Sequence, residues 1–262
     1  MTQNLFDLTG KYAVITGATK GIGRAIAEAF ADHGASFALT SRHPDEARAA
    51  AEEINQRVGR EAAIGLASDL YDLDTCIAAF DRAEAHFGQI DILVSNAAAT
   101  PALFGQSTEF PIEDYRSLML ANIVNNVHFM NHAARPMKER GDGVILATSS
   151  ASGSRPSNGV FPYGVSKGGL NHAIRCLAAE LAPFNVRVNA VAPGFTRSDG
   201  VKKAIKHDPS VVERFTQGVP LRRIIEPEEI AAGMVLLASV GGRAMTGQIV
   251  MMDGGEPAPG IN

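Results

Sequence analysis

Cysteine is scarce in this chain, and neither of the two present, Cys76 and Cys176, has the His or Cys neighbours of a metal site. Both fall in helix-like stretches. A single disulfide between them is one arrangement, and two buried free thiols in a reducing cytosol is the one the sequence favours. An excess of positive charge is also missing. Lys+Arg number 24 against Asp+Glu 28, a net charge of −4, which argues against nucleic acid as a general partner. No run approaches the roughly 18 apolar residues of a membrane span. The opening "MTQNLFDLTGKYAVITG" lacks a basic segment followed by an apolar one, so no signal peptide is expected. The closing "EPAPGIN" is not a peroxisomal tripeptide. Cytoplasm is the expected location. Linker-like composition shifts, repeats and low-complexity segments are absent too, so residues 1–262 are read as one domain, with 45% hydrophobic residues to build its core.

What is present is an alternation. Short runs rich in Val, Ile and Leu predict strands at 11–17, 35–41, 61–68, 90–98, 142–150, 186–193 and 247–255. Between them, amphipathic stretches predict helices at 21–34, 44–59, 72–88, about 111–139, about 163–182 and about 227–239. In the first helix Ile22, Ile26, Ala29 and Phe30 share one face and Gly34 stops it; in the second, Pro44 starts and Gly59 ends it. Nearly continuous apolar strands point to a sheet covered on both faces. Seven strands alternating with helices predict an α/β fold with a doubly wound parallel sheet. The polar stretch 195–220, broken by Gly200, Pro209, Gly218 and Pro220, fits no strand–helix unit and reads as a lid.

The first strand runs into "TGATKGIG", residues 16–23, which opens the first helix. Glycines at 17, 21 and 23 let the backbone turn tightly and approach a pyrophosphate, and the N–H groups of the helix start face its charge. The second strand ends "LTSRHPD". An NAD site usually has an acid there, bonded to the ribose hydroxyls. Here Ser41 takes that place and Arg42 follows, with Lys20 nearby in the glycine loop. Two cations without a carboxylate fit the 2′-phosphate of NADP(H).

"YGVSK" at 163–167 places a phenol and an ammonium four residues apart, on one face of a helix. Alone, such a motif arises by chance. Together with its surroundings it resembles the short-chain dehydrogenases/reductases of the classical type, over about residues 8–255. "TGATKGIG" matches the family's TGxxxGxG loop, "SDL" (68–70) its Asp-containing turn and "SNAA" (95–98) its NNAG. "LAN" (120–122) ends in the Asn of the fourth helix, "ILATSSASG" (145–153) carries the Ser strand, and "NAVAPG" (189–194) is the nicotinamide-side turn. The family's Ser lies 13 residues before its Tyr, which gives Ser150. Within the family the chain looks most like tropinone reductases and NADP-dependent carbonyl reductases.

The resemblance implies a single-domain Rossmann fold and a tetrad of Asn122, Ser150, Tyr163 and Lys167. Tyr163 would exchange a proton with the substrate oxygen, and Lys167 would favour its phenolate. Ser150 would hold that oxygen, and Asn122 would hold a water on a proton path from Lys167 to solvent. The dinucleotide would contact Gly17, Thr19, Lys20, Gly21, Ile22, Gly23, Ser41, Arg42, Asp69, Leu70, Asn96, Tyr163, Lys167, Pro193, Gly194, Thr196 and Ser198, with Asp69 on the adenine amine. No metal is expected. A homotetramer is implied, built on the helices at 111–139 and 163–182 and the final strand region. Three departures stand out. Ala98 replaces a Gly, Ser198 stands where many relatives have Thr, and Arg155 lies beside the site, where it reads as a rim or interface charge ahead of a substrate contact. Phe104, Phe161 and Phe195 are candidates for pocket or core. Lys202, Lys203 and Lys206 read as a solvated helix face.

The leading expectation is an NADP(H)-dependent oxidoreductase that reduces a ketone or aldehyde to an alcohol, or runs in reverse, on a small-molecule substrate. One rival is an NAD-dependent dehydrogenase of the hydroxysteroid or sugar type, in which Arg42→Ala would matter little. Another is a non-catalytic NADP-binding protein, in which the tetrad would have eroded. Enoyl reductases of similar fold use a longer Tyr–Lys spacing than "YGVSK".

Overall fold

A computed structural model of the chain describes residues 4–100, 105–156 and 159–255. Seven strands form one sheet: β1 (Tyr12–Ile15), β2 (Ser36–Ser41), β3 (Ala63–Ala67), β4 (Ile92–Ser95), β5 (Gly143–Thr148), β6 (Val186–Pro193) and β7 (Ile249–Met252). All neighbours are parallel, in the order β3-β2-β1-β4-β5-β6-β7. The order reverses between β1 and β4, the switch point where a doubly wound sheet leaves a crevice at the strands' carboxyl ends.

Strand side chains feed two cores by the two-residue period of a strand. Ala13 and Ile15 of β1, with Leu146 of β5, pack under α1 (Gly21–Asp32), α2 (Pro44–Val58) and α9 (Pro227–Ala238). Val14, Ile145 and Ala147 face the other way, onto α3 (Leu73–Phe87), α5 (Asn126–Arg140) and α6 (Phe161–Leu181). In α1, Ile26 and Phe30 are buried one turn apart as the periodicity predicts. α2 begins with Pro44 and has Asp45 and Glu46 in its first turn, where the helix dipole favours them.

Three expectations are corrected. The helical region at 111–139 is not one helix. α4 (Ile112–Met119) passes through a π-helical segment, Leu120–Asn125, into α5. Such a segment adds a residue to the turn and is commonly found at functional sites. The stretch 195–220 does contain regular structure, the short helices α7 (Asp199–His207) and α8 (Ser210–Thr216). Finally, Cys76 is buried but Cys176 is exposed, and both are free thiols. Among the described residues no helix is long and apolar enough to cross a membrane.

Candidate active site

The carboxyl ends of the strands gather the residues singled out in the sequence. Gly17 to Lys20 form the β1–α1 turn and Gly21 to Gly23 open α1, Ser41 ends β2, and Asp69 and Leu70 follow β3. Asn96 follows β4, Ser150 follows β5, and Pro193 ends β6 with Gly194, Thr196 and Ser198 after it.

The turn before α1 is built for close approach. Gly17 has φ +63°, and a Cβ at Gly23 would lie 2.2 Å from the Gly17 carbonyl oxygen and 2.5 Å from Asn96 Nδ2. No side chain caps the start of α1 and no acid lies in its first turn, which leaves its N–H groups for an outside anion. Lys20 and Arg42 are exposed, and among the described residues neither has an ion-pair partner.

Asn96 holds the turn from behind. Its Nδ2 donates to the carbonyls of Thr16 (3.0 Å) and Gly17 (3.2 Å), and Thr148 Oγ1 donates to its Oδ1 at 3.0 Å. Thr16 Oγ1 accepts from the N–H groups of Asn96 and Ala97, both at 3.0 Å. The Asn96 amide is therefore engaged with the loop backbone, so its service to a dinucleotide is to shape the loop. Asp69 accepts from the Tyr71 N–H at 3.0 Å. Thr196 donates to the Gly194 carbonyl, and Ser198 Oγ accepts from the Val201 N–H near the start of α7.

Ser150, Tyr163 and Lys167 meet at the end of β5. Ser150 is extended and its Oγ accepts from the Ser152 N–H, capping a single 3₁₀ turn, Ala151–Gly153. Its hydroxyl lies beside the Tyr163 phenol and acts to lower it. Lys167, one turn along α6, is 1% exposed and donates to the Thr148 carbonyl at 2.8 Å. Its Nζ lies over the Tyr163 ring, 5.6 Å from the centroid. Burial lowers the ammonium from 10.5 to about 8. The phenol departs from the sequence expectation. It is raised above its usual 10, because burial outweighs the lowering by the Ser150 hydroxyl. The chain alone thus keeps Tyr163 protonated at neutral pH.

Asn122 is wholly buried in the π-helical segment. Its Oδ1 accepts from the Ala99 N–H at 2.8 Å, and its Nδ2 donates to the Ala99 carbonyl and Ser166 Oγ, each at 3.0 Å. Ser166 Oγ in turn donates to the Tyr163 carbonyl at 2.7 Å. Both amide hydrogens are taken, so a water on the Asn122 side chain would find only one oxygen lone pair.

Several partners escaped sequence reading: Thr16, Thr148, Ser166, and the Ser149–Asn171 pair, whose Asn171 also donates to Ser154 Oγ at 3.1 Å. Their signal was a polar residue at a position the apolar pattern assigns to the core. Arg155 is corrected. It pairs with Asp253, the two side chains only 12% and 10% exposed, which the sequence did not predict. Phe161 is 48% exposed, its ring edge toward Tyr115, while Phe195 stacks on Phe215 with centroids 4.4 Å apart. Phe104 lies outside the described residues. No cluster of three or more potential metal ligands occurs among the described residues.

The comparisons with known proteins agree with this geometry. The family profile described as Enoyl-(Acyl carrier protein) reductase matches residues 17–256. The chain belongs to the classical short-chain dehydrogenase/reductase family. It is 33% identical to the 3-oxoacyl-[acyl-carrier-protein] reductase FabG of Chlamydia trachomatis serovar D over 95% of this chain and 98% of that one. A solved 7 alpha-hydroxysteroid dehydrogenase complexed with NADH and 7-oxo glycochenodeoxycholic acid superposes with TM-score 0.89 and 32% identity, covering 100% of both chains. A putative NAD(P) dependent gluconate 5-dehydrogenase from Beutenbergia cavernae with bound NADP superposes with TM-score 0.87 and 30% identity, covering 96% of this chain and 98% of that one. Members of this short-chain family are oxidoreductases that act between CH–OH and C=O with a nicotinamide dinucleotide, and so is this chain.

Proposed function

We propose that the protein is an NADP(H)-dependent carbonyl reductase in which Tyr163 donates the proton, Ser150 holds the carbonyl oxygen, and Lys167 sets the charge beside them. The observation that carries this reading is the gathering of Ser150, at the start of the turn after β5, with Tyr163 and the buried Lys167 on α6, whose Nζ lies over the Tyr163 ring. Two hydroxyls side by side leave a place where one carbonyl oxygen accepts from both. The protonated phenol is the form that donates in the reduction direction. For the reverse direction the phenolate is favoured by Lys167, charged below about pH 8, and by the cationic ring of an oxidised dinucleotide. The bound dinucleotide supplies or takes up the hydride. Asn122 fixes the Tyr163 end of α6 through Ser166, which holds the phenol in register with Ser150.

The glycine cradle and the uncapped start of α1 fit a pyrophosphate. Lys20 and Arg42, exposed and without acidic partners among the described residues, favour a 2′-phosphate over a bare ribose. Asp69 and Leu70 are proposed at the adenine, and Gly194, Thr196 and Ser198 at the nicotinamide. The segment 195–220 serves as the lid over the crevice. Exposed Leu120, Val124, Phe161 and Val165 on the π-helical segment and α6 offer the apolar contact for a homotetramer. The proposed location is the cytoplasm.

The test is a panel of ketones, aldehydes and alcohols with NADPH, NADP, NADH and NAD, read by absorbance of the reduced nicotinamide. Turnover should be fastest with NADPH, and Arg42→Ala should raise the KM for NADPH about tenfold with little change for NADH. Faster turnover with NADH, unaffected by Arg42→Ala, would replace this reading with an NAD-linked dehydrogenase.

A further inference from the structure

We infer that Arg155 and Asp253 form a positioning pair that locks the Ser150 turn to the Gly194 turn, and so sets the nicotinamide half of the site without touching substrate. The inference rests on the assignment of Ser150 and the dinucleotide crevice above.

One anchor is the single 3₁₀ turn after β5. Ser150 caps its start, the Gly153 N–H donates to the Ser150 carbonyl at 3.0 Å, and the Arg155 N–H donates to the Ala151 carbonyl at 3.2 Å. Arg155 is therefore held at a fixed offset from Ser150 by consecutive hydrogen bonds. On its other side this turn is tied to α6 through neutral groups, Asn171 with Ser149 and with Ser154.

The second anchor is the chain after β7. Asp253 Oδ1 accepts from the Gly255 N–H at 2.9 Å, while Oδ2 pairs with Arg155. The Asp253 backbone lies directly against Gly194: a Cβ there would come within 2.7 Å of Asp253 Cα. Only glycine admits this approach, and the Gly194 N–H also donates to the Met252 carbonyl at 3.0 Å. A displacement of Asp253 is thus transmitted to Gly194.

The pair spans 98 residues of sequence and joins the exits of β5, β6 and β7. Those exits belong to the second mononucleotide half of a doubly wound sheet, opposite the β1–β2–β3 half that takes the adenosine. A largely buried ion pair of this kind is a weak source of net stability. Its removal as a unit is often neutral, whereas loss of Arg155 leaves the largely buried Asp253 carboxylate without its cation. Geometry is a sufficient reason for its presence here.

The experiment exploits that asymmetry. Arg155→Met, Asp253→Asn and the double variant are compared with the wild type. Asn keeps an oxygen for the Gly255 N–H. Thermal unfolding reports stability. Titrations report binding of NADPH and of 2′,5′-ADP, which carries the adenosine half alone. Arg155→Met, which leaves Asp253 without its cation, should lower the unfolding midpoint, and the double variant should recover most of it. The double variant should nonetheless bind NADPH about tenfold more weakly and bind 2′,5′-ADP within about twofold of wild type. Arg155→Lys, which keeps the charge, should recover part of the NADPH affinity. Turnover of an activated diketone with NADPH should fall about tenfold or more in the double variant. Equal weakening of both ligands, or wild-type NADPH binding and turnover in the double variant, overturns the inference. A wild-type protein that binds no dinucleotide overturns instead the functional assignment beneath it.

Discussion

Lys167 provides a quantitative test in the protein without added nucleotide. A lysine that is 1% exposed and lowered from 10.5 to about 8 costs the fold stability as long as it must be charged. The depression is about two and a half pH units, each about 1.4 kcal/mol, or about 3 kcal/mol in all. Below about pH 8 both folded and unfolded chains hold the proton, so the full cost is present. Between about 8 and 10.5 the unfolded chain keeps a proton that the folded chain has released. The unfolded state then binds more protons, and stability rises with pH. Above 10.5 the cost is gone. In Lys167→Met this contribution is absent, and the charged hydrogen bond to the Thr148 carbonyl, worth about 1.5–3 kcal/mol, is lost with it. The two proteins should therefore have similar stability near neutral pH. The wild type should gain about 2 kcal/mol relative to the variant between about pH 7.5 and about pH 10. Urea unfolding followed by circular dichroism at fixed protein concentration measures this, and other titrating groups cancel in the difference. Stability curves that run parallel over that range would refute the placement of a desolvated lysine beneath Tyr163.

Other consequences concern the supports of the site. Gly23→Ala drives a methyl into the Gly17 carbonyl and the Asn96 amide, and should lower stability by about 1–3 kcal/mol and abolish NADPH binding in a fluorescence titration. Asn122→Ala strands the Ala99 N–H and carbonyl and removes a donor to Ser166, so thermal unfolding should show a loss of at least about 3 kcal/mol. In a thiol titration of the native protein, exposed Cys176 should react readily, whereas Cys76, raised by burial, should react only on unfolding.

The sheet was legible because strands buried on both faces read as apolar runs, and β6 falls on the expected 186–193. The glycine loop was legible because only glycine tolerates its backbone and its close contacts. The π-helical segment was not, since an extra residue per turn barely disturbs an amphipathic pattern that already tolerates drift. A helix face at Lys202, Lys203 and Lys206 was read within α7, but the bounds of α7 and all of α8 were missed because segments of 9 and 7 residues carry too little periodic signal and depend on packing. In the site, Ser150, Tyr163 and Lys167 were found through the family resemblance, and the structure brings them together. The raised Tyr163 phenol was not foreseen, because the spacing to Lys167 says nothing of burial. Nor was the Arg155–Asp253 pair, since a contact across 98 residues leaves no local pattern.

The account turns on the Tyr163 hydroxyl as the proton donor, and Tyr163→Phe removes that oxygen alone. With NADPH and whichever ketone or aldehyde the wild type reduces, turnover should fall by at least about a hundredfold, while NADPH affinity in a fluorescence titration stays within about twofold. Turnover by Tyr163→Phe at the wild-type rate would contradict the central claim.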